Sequence, residues 1–193
     1  MKMRSLWPLL MAGSVGAMGM QANADERYQL LVGSYTAGQS QGIYRLQFDS
    51  RTGQLDAKPL QVIKTDNPSW LTLSPDMTRL FVVNENGPGQ KDPVGKVSSY
   101  AIDPATRAVS LINQVQSLGN EPTHSSLSGD GRHLLVSNYS MVEDPGGTLA
   151  VLPVAADGKL SPVVQLSSHQ PSRVNPERQM SAHVHAAVSS PDG

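Results

Sequence analysis

The chain has no cysteine in its 193 residues, so no disulfide framework exists and packing alone must hold the fold. Aromatic residues are few, with two Trp, five Tyr and two Phe. Nowhere does charge of one sign run together, and the net charge is −1, which excludes the basic footprint of a nucleic-acid or anionic-membrane binder. No segment sustains a helical period, which excludes a helical bundle. The one long apolar run, Leu6 to Met20, is broken by Pro8, Gly13, Gly16 and Gly19 and falls short of the ~20 residues of a membrane span.

That run has another use. Lys2 and Arg4 precede it, and Ala22-Asn23-Ala24 follows it before the acidic Asp25-Glu26. The order is that of a secretory signal peptide with a small-x-small cleavage site. Residues 1–24 are therefore predicted to be removed, leaving 25–193 as a periplasmic or secreted domain with no membrane attachment. Loss of Lys2 and Arg4 takes the net charge to −3.

What the chain does contain is repetition. Asn67-Pro68-Ser69-Trp70-Leu71-Thr72-Leu73-Ser74-Pro75-Asp76 returns as Glu121-Pro122-Thr123-His124-Ser125-Ser126-Leu127-Ser128-Gly129-Asp130, and more loosely as His183 to Asp192. A second landmark, the Asp-x-x-Thr turn ending at Leu55, recurs at Val109 and, shortened, at Leu160. The steps are 54 and 51 residues, and the step from Ser128 to Ser190 lengthens to 62 through a longer loop between Gln165 and Ser181. Such a period marks an array whose units bury apolar faces only against their neighbours.

Short β-like runs separated by turn residues fill each period: Trp70 to Leu73, Leu80 to Asn84, Val97 to Ile102 and Ser110 to Val115 in the clearest one. A further run is expected from Val184 to Val188. Four runs per period predict a four-stranded antiparallel blade, so the fold class is all-β, a β-propeller. A β-helix has much shorter coils. The chain enters at what reads as a second strand, Leu30 to Val32, and stops after Pro191-Asp192-Gly193, so roughly three blades of a longer protein are expected.

In an antiparallel meander the Ser-x-Asp and Asp-x-x-Thr turns share one edge of the blade. The opposite edge then collects Asn67, Trp70, Glu85, Glu121, His124, Asn138, Tyr139, Arg178, Gln179, His183 and His185. Bland turns on one edge and chemically capable side chains on the other suggest a site carried on a scaffold.

Val32-Gly33-Ser34-Tyr35-Thr36, Asn67-Pro68-Ser69-Trp70-Leu71, Val83-Asn84-Glu85, Ser137-Asn138-Tyr139 and Asn175-Pro176-Glu177-Arg178-Gln179 followed by His183-Val184-His185 together resemble the seven-bladed β-propeller lactonases. That family includes propeller-type 6-phosphogluconolactonase and is similar to carboxymuconate-lactonizing enzyme. The resemblance implies seven blades in the full protein, a monomer, hydrolysis of a sugar lactone at the channel mouth, and no cofactor or established metal. It implies His, Arg and Glu side chains as the actors, and the positions here that match its motif are Arg178, Gln179, His183 and His185. The segment Ser140 to Pro145 departs from the expected Asn-Tyr-Gly-Gly pattern, and export leaves open whether the substrate is phosphorylated.

Lactone opening needs a base to activate water and a donor for the carbonyl oxygen as it gains charge. His183 and His185 are the candidate bases, and the planar fork of Arg178 suits a phosphate or carboxylate. Gln179, His124, Glu85 and Asn138 are candidate substrate contacts. His124 aligns with Trp70 and equally suits a filler of the same slot, while Asn138 equally suits a bond to turn backbone. His183 and His185, two apart, would share one face of a strand, a geometry that also fits a two-His metal pair with Glu85 as a third ligand. A noncatalytic propeller binding a sugar or a protein, and a lactonizing cyclase, remain alternatives on the same scaffold.

Overall fold

A computed structural model describes residues 27–140 and 147–190. The predicted signal peptide and part of the departing Ser140 to Pro145 segment lie outside them. Among the described residues, twelve strands form three antiparallel sheets. The first sheet holds β1 (Arg27–Gly33), β2 (Gly42–Asp49), β3 (Gln54–Leu55) and β4 (Gln61–Lys64), with β3 and β4 both paired to β2. The second runs β5 (Pro68–Leu73), β6 (Arg79–Asn84), β7 (Lys96–Ile102), β8 (Val109–Gln116) in order, and the third β9 (Pro122–Leu127), β10 (His133–Asn138), β11 (Thr148–Pro153), β12 (Gln165–Ser168). These are the expected blades, and β1 stands where a second strand belongs, paired to β2 alone among the described residues.

The core lies between blades rather than within one. Successive side chains of a strand point to opposite faces, and β6 uses both faces. Leu80 and Val82 join Ile43 and Ile63 of the first blade and Tyr100, Ile102 and Val109 of their own. Phe81 and Val83 join Leu134, Val136, Ala150, Leu152 and Leu160 of the third. A strand buried on both sides reads as a continuous apolar run, which is what Leu80-Phe81-Val82-Val83 is.

The inner strands are tied by side chains, since they lie in different sheets. Thr72 Oγ1 donates to the Ser125 carbonyl at 2.7 Å, and Trp70 Nε1 donates to the same oxygen at 3.0 Å. One repeat later, Ser126 Oγ donates to the Ala187 carbonyl at 2.7 Å, and Thr123 Oγ1 to the His185 carbonyl at 3.3 Å. The expected strand from Val184 to Val188 is corrected by this arrangement. The segment lies along β9 in a first-strand position but is irregular, because no strand among the described residues gives it the backbone ladder that β6 gives β5 and β10 gives β9.

The tight turns do fall on one edge. Asp49, Asp76, Asp103 and Asp130 each accept backbone N–H groups of their own turns, the short Asx arrangement that reverses the chain. Gly158, in the shortened turn, has φ +86° and lies where a Cβ would strike the Arg79 side chain, so only glycine fits. Arg79 Nε donates to the Asp157 carbonyl at 2.8 Å and Ser99 Oγ to the Gly158 carbonyl at 2.6 Å, which locks that turn of the third blade onto the second.

Candidate functional site

The ends of β6 and β10 and the starts of β5 and β9 meet on the edge opposite these turns. Their backbone geometry repeats. Asn67 and Glu121, each preceding a proline, sit at φ +39° and +53°. Proline disfavours helical conformations in the residue before it, and a non-glycine residue at positive φ is strained, so both must be held from outside. The Asn67 carbonyl accepts from Glu85 N at 2.9 Å, and the Glu121 carbonyl accepts from Tyr139 N at 2.9 Å. The Asn67 amide carries the rest, its oxygen accepting from Thr36 N at 3.0 Å and its nitrogen donating to Asn86 Oδ1 at 2.9 Å.

Five rings line up along this edge. The ring centroids of Trp70 and His124 are 4.5 Å apart. His185 meets the Tyr139 ring edge-on at 5.7 Å, and His183 stacks on Tyr139 at 4.4 Å with 14° between planes. His183 and His185 thus turn to the same tyrosine even though no strand dictates it. Burial, and then repulsion by the charge of His185, hold the His124 imidazole below its ordinary value. His183 Nδ1 lies 3.1 Å from the Tyr139 carbonyl and 2.9 Å from that of Ser140.

Beside this row lies an acidic pair. Glu85 accepts a hydrogen bond from the Tyr35 hydroxyl, and the charge of Glu121 is close by. Burial of the hydroxyl, the bond to Glu85 and the two charges push the Tyr35 phenol up to about 12. A cavity of about 680 Å³ opens between Tyr35, Asn67, Asn86 and Gln90. A second cavity, of about 370 Å³, lies on the opposite edge and is lined by Arg27, Arg45 and Arg107 with no histidine.

The remaining candidates are placed as follows. Arg178 is exposed, on a turn in which Asn175 Oδ1 accepts from its backbone N–H at 3.1 Å. Gln179 folds back onto that turn, its side-chain oxygen accepting from Asn175 N at 2.8 Å. Asn138 is fully buried, and its Nδ2 donates to Thr148 Oγ1 at 3.0 Å, so it ties strand ends together as Asn84 does in the previous blade. Among the described residues no three His, Asp or Glu side chains are grouped as metal ligands, Glu85 lying with Tyr35 rather than with the histidine pair. Tyr139 and Glu121, which the sequence places on this edge without a role, take part in the site. Their signal was positional, since Tyr139 stands one period after Glu85 and Glu121 one period after Asn67.

Comparison with known proteins agrees with this architecture. Residues 29–193 match the family model for lactonase, 7-bladed beta-propeller. The chain is 30% identical over 166 residues to 6-phosphogluconolactonase of Bacillus subtilis (strain 168), covering 86% of this chain and 44% of that protein. It is 29% identical over 159 residues to 6-phosphogluconolactonase of Formosa agariphila, covering 82% and 42%. Among solved structures, the periplasmic gluconolactonase of Pseudomonas aeruginosa superposes with a TM-score of 0.82 at 55% identity, covering 86% of this chain and 45% of that one. The chain thus spans a little under half the length of these relatives. It belongs to the seven-bladed β-propeller lactonase family.

Proposed function

We propose that the full protein hydrolyses a sugar lactone outside the cytoplasm, with residues 1–24 as its cleaved signal peptide. The observation that carries this reading is the gathering of His124, His183 and His185 around Trp70 and Tyr139 on the blade edge opposite the Ser-x-Asp and Asp-x-x-Thr turns, in a chain of a lactonase family. His183 takes the proton of a water as its oxygen attacks the lactone carbonyl carbon. The carbonyl oxygen gains charge, which the Arg178 guanidinium and His185 are suited to balance. Collapse of the tetrahedral intermediate breaks the ring C–O bond, and the proton returns from His183 to the departing oxygen, giving the open hydroxy acid.

A neutral lactone suits the site better than a phosphorylated one. Glu85 and Glu121 stand beside the mouth, where they accept bonds from sugar hydroxyls but repel a phosphate dianion. The relative at 55% identity is named a periplasmic gluconolactonase, in keeping with export.

The test is hydrolysis by the full-length protein of gluconolactone and 6-phosphogluconolactone side by side. Turnover of gluconolactone is expected, with His185→Ala and Arg178→Ala each losing about 100-fold in kcat/KM at an unchanged melting temperature. His133→Ala, on the turn edge, is expected to be neutral. Absence of hydrolysis on both lactones, with sugar binding retained, would give the noncatalytic reading precedence.

A further inference from the structure

Tyr139 holds two positions in the site at once, one with its ring and one with its backbone. The ring lies flat against His183, 4.4 Å between centroids and 14° between planes. The backbone carbonyls of Tyr139 and Ser140 both point at the same imidazole nitrogen, Nδ1, at 3.1 and 2.9 Å. Successive carbonyls of an extended chain point to opposite sides and would not converge on one atom. They do so here because Ser140 adopts φ +49°, a left-handed conformation in a non-glycine residue that turns its carbonyl back beside that of Tyr139.

The consequence is chemical. A carbonyl oxygen only accepts, so an imidazole nitrogen facing two of them must carry the proton. His183 is therefore held as the Nδ1–H tautomer, and Nε2, on the far edge of the ring, bears the lone pair. In hydrolases that use histidine as a base, the group bonded to one nitrogen decides which nitrogen is basic, and the wrong tautomer disables the enzyme.

The geometry points to Tyr139 as a positioning residue for His183: its stacked ring fixes the imidazole plane so that the carbonyls of Tyr139 and Ser140 can select the tautomer in which Nε2 is the base. The Tyr139 hydroxyl is not required for this, because the contact is through the ring face. His185, edge-on to the same ring, shares the platform. The rotation of Ser140 into a strained conformation is what a fixed pair of acceptors requires, and the surrounding bonds offset its cost. Ser140 is fully buried, its N–H donates to the Asn120 carbonyl at 3.2 Å, and its carbonyl also accepts from Ser181 Oγ at 3.3 Å.

The catalytic part of this inference rests on the reading of His183 as base, but the tautomer does not. The experiment is therefore paired. Ring ¹⁵N spectra of the full-length protein above pH 8 report which His183 nitrogen is protonated without any turnover, and lactone kinetics report the effect on catalysis. Wild type and Tyr139→Phe are expected to show one Nδ1–H form and similar kcat. Tyr139→Leu is expected to fold, to show a mixture of His183 tautomers, and to lose about 10- to 100-fold in kcat with KM changed little. A wild-type His183 protonated at Nε2, or a Tyr139→Leu protein that keeps both the single tautomer and wild-type kcat, would overturn the inference. A tautomer locked in wild type and released in Tyr139→Leu upholds the positioning role even where no lactone is hydrolysed, so the two readings fail separately.

Discussion

Asn84 and Asn138 occupy the same position in successive blades, and their different surroundings show how far a single residue departs from the repeat. Asn84 Oδ1 accepts from Ser98 Oγ at 2.7 Å and from Gln114 Nε2 at 3.2 Å. Asn138 Oδ1 is buried with no hydrogen-bond partner among the described residues. The register explains it: Val82 pairs with Ser98 in β7, but Val136 pairs with Ala150 in β11, so the donor hydroxyl is missing. Ala150→Ser is expected to supply it and to stabilise the protein by about 1 kcal/mol, read as a higher urea midpoint; a lower midpoint would show that the hydroxyl is misdirected. His124 carries a pH prediction. Its folded value is depressed below 6.5, so the unfolded chain binds the proton more readily, and stability present above pH 6.5 declines as pH falls toward the folded value. The melting temperature should therefore drop on acidification through this window, and His124→Asn should flatten the profile there.

At the scale of the turn, the repeat keeps its backbone even where it changes its residues. Met77 at φ +55° stands one period before Gly131 at +68°, and Gly53 at +72° one period before Arg107 at +60°. A left-handed slot is glycine in one blade and a side chain in the next. Met77→Gly should relieve more strain than it adds in unfolded-state entropy, a net gain of about 0.5–1 kcal/mol, and an unfolding curve with no shift would show the strain already absorbed. The acidic residues of these turns also lose their stabilisation as pH falls, but in a lower window than His124. The Ser74 hydroxyl, with the N–H and hydroxyl of Thr78, holds the Asp76 carboxyl at about 2, and the Ser128 hydroxyl with the Arg132 N–H and guanidinium holds Asp130 well below the usual range. Their stabilisation is complete above the unfolded value near 3.8 and disappears as pH falls through the folded ones. Unfolding is expected to set in between pH 4 and 2, and Asp76→Asn should lower stability at neutral pH while weakening the acid transition.

For the molecule as a whole, stability comes from blade meeting blade, so each blade depends on its neighbours. Among the described residues, β1 pairs on one side only, and Tyr28, Leu30 and Val32 are exposed on it, as is Val188 at the other end of the array. A free strand edge with apolar side chains recruits other chains. Residues 25–193 expressed alone are expected to associate or to be cut readily by protease, where the full-length protein is neither. A sharp monomer peak and a cooperative melt for that segment would contradict this.

The period of 54 residues, the apolar runs within it and the turn residues between them determined the blade, the strand order and the edge on which the chemistry lies, because those properties depend on spacing along the chain and on the antiparallel rule. The divided fourth strand, β3 and β4, was not legible, since a break in pairing depends on what β2 offers opposite it. Nor was the irregular path of Val184 to Val188, whose partners are hydroxyl groups 61 or 62 residues away. Within the site, the sequence pointed to His183 and His185, but only the folded chain decided that they share Tyr139, that Asn138 is buried against Thr148, and that Gln179 bonds its own turn. Those outcomes depend on distances between blades and on the left-handed turn at Ser140, where residues far apart in sequence are brought within hydrogen-bond reach, and no local pattern encodes such a meeting.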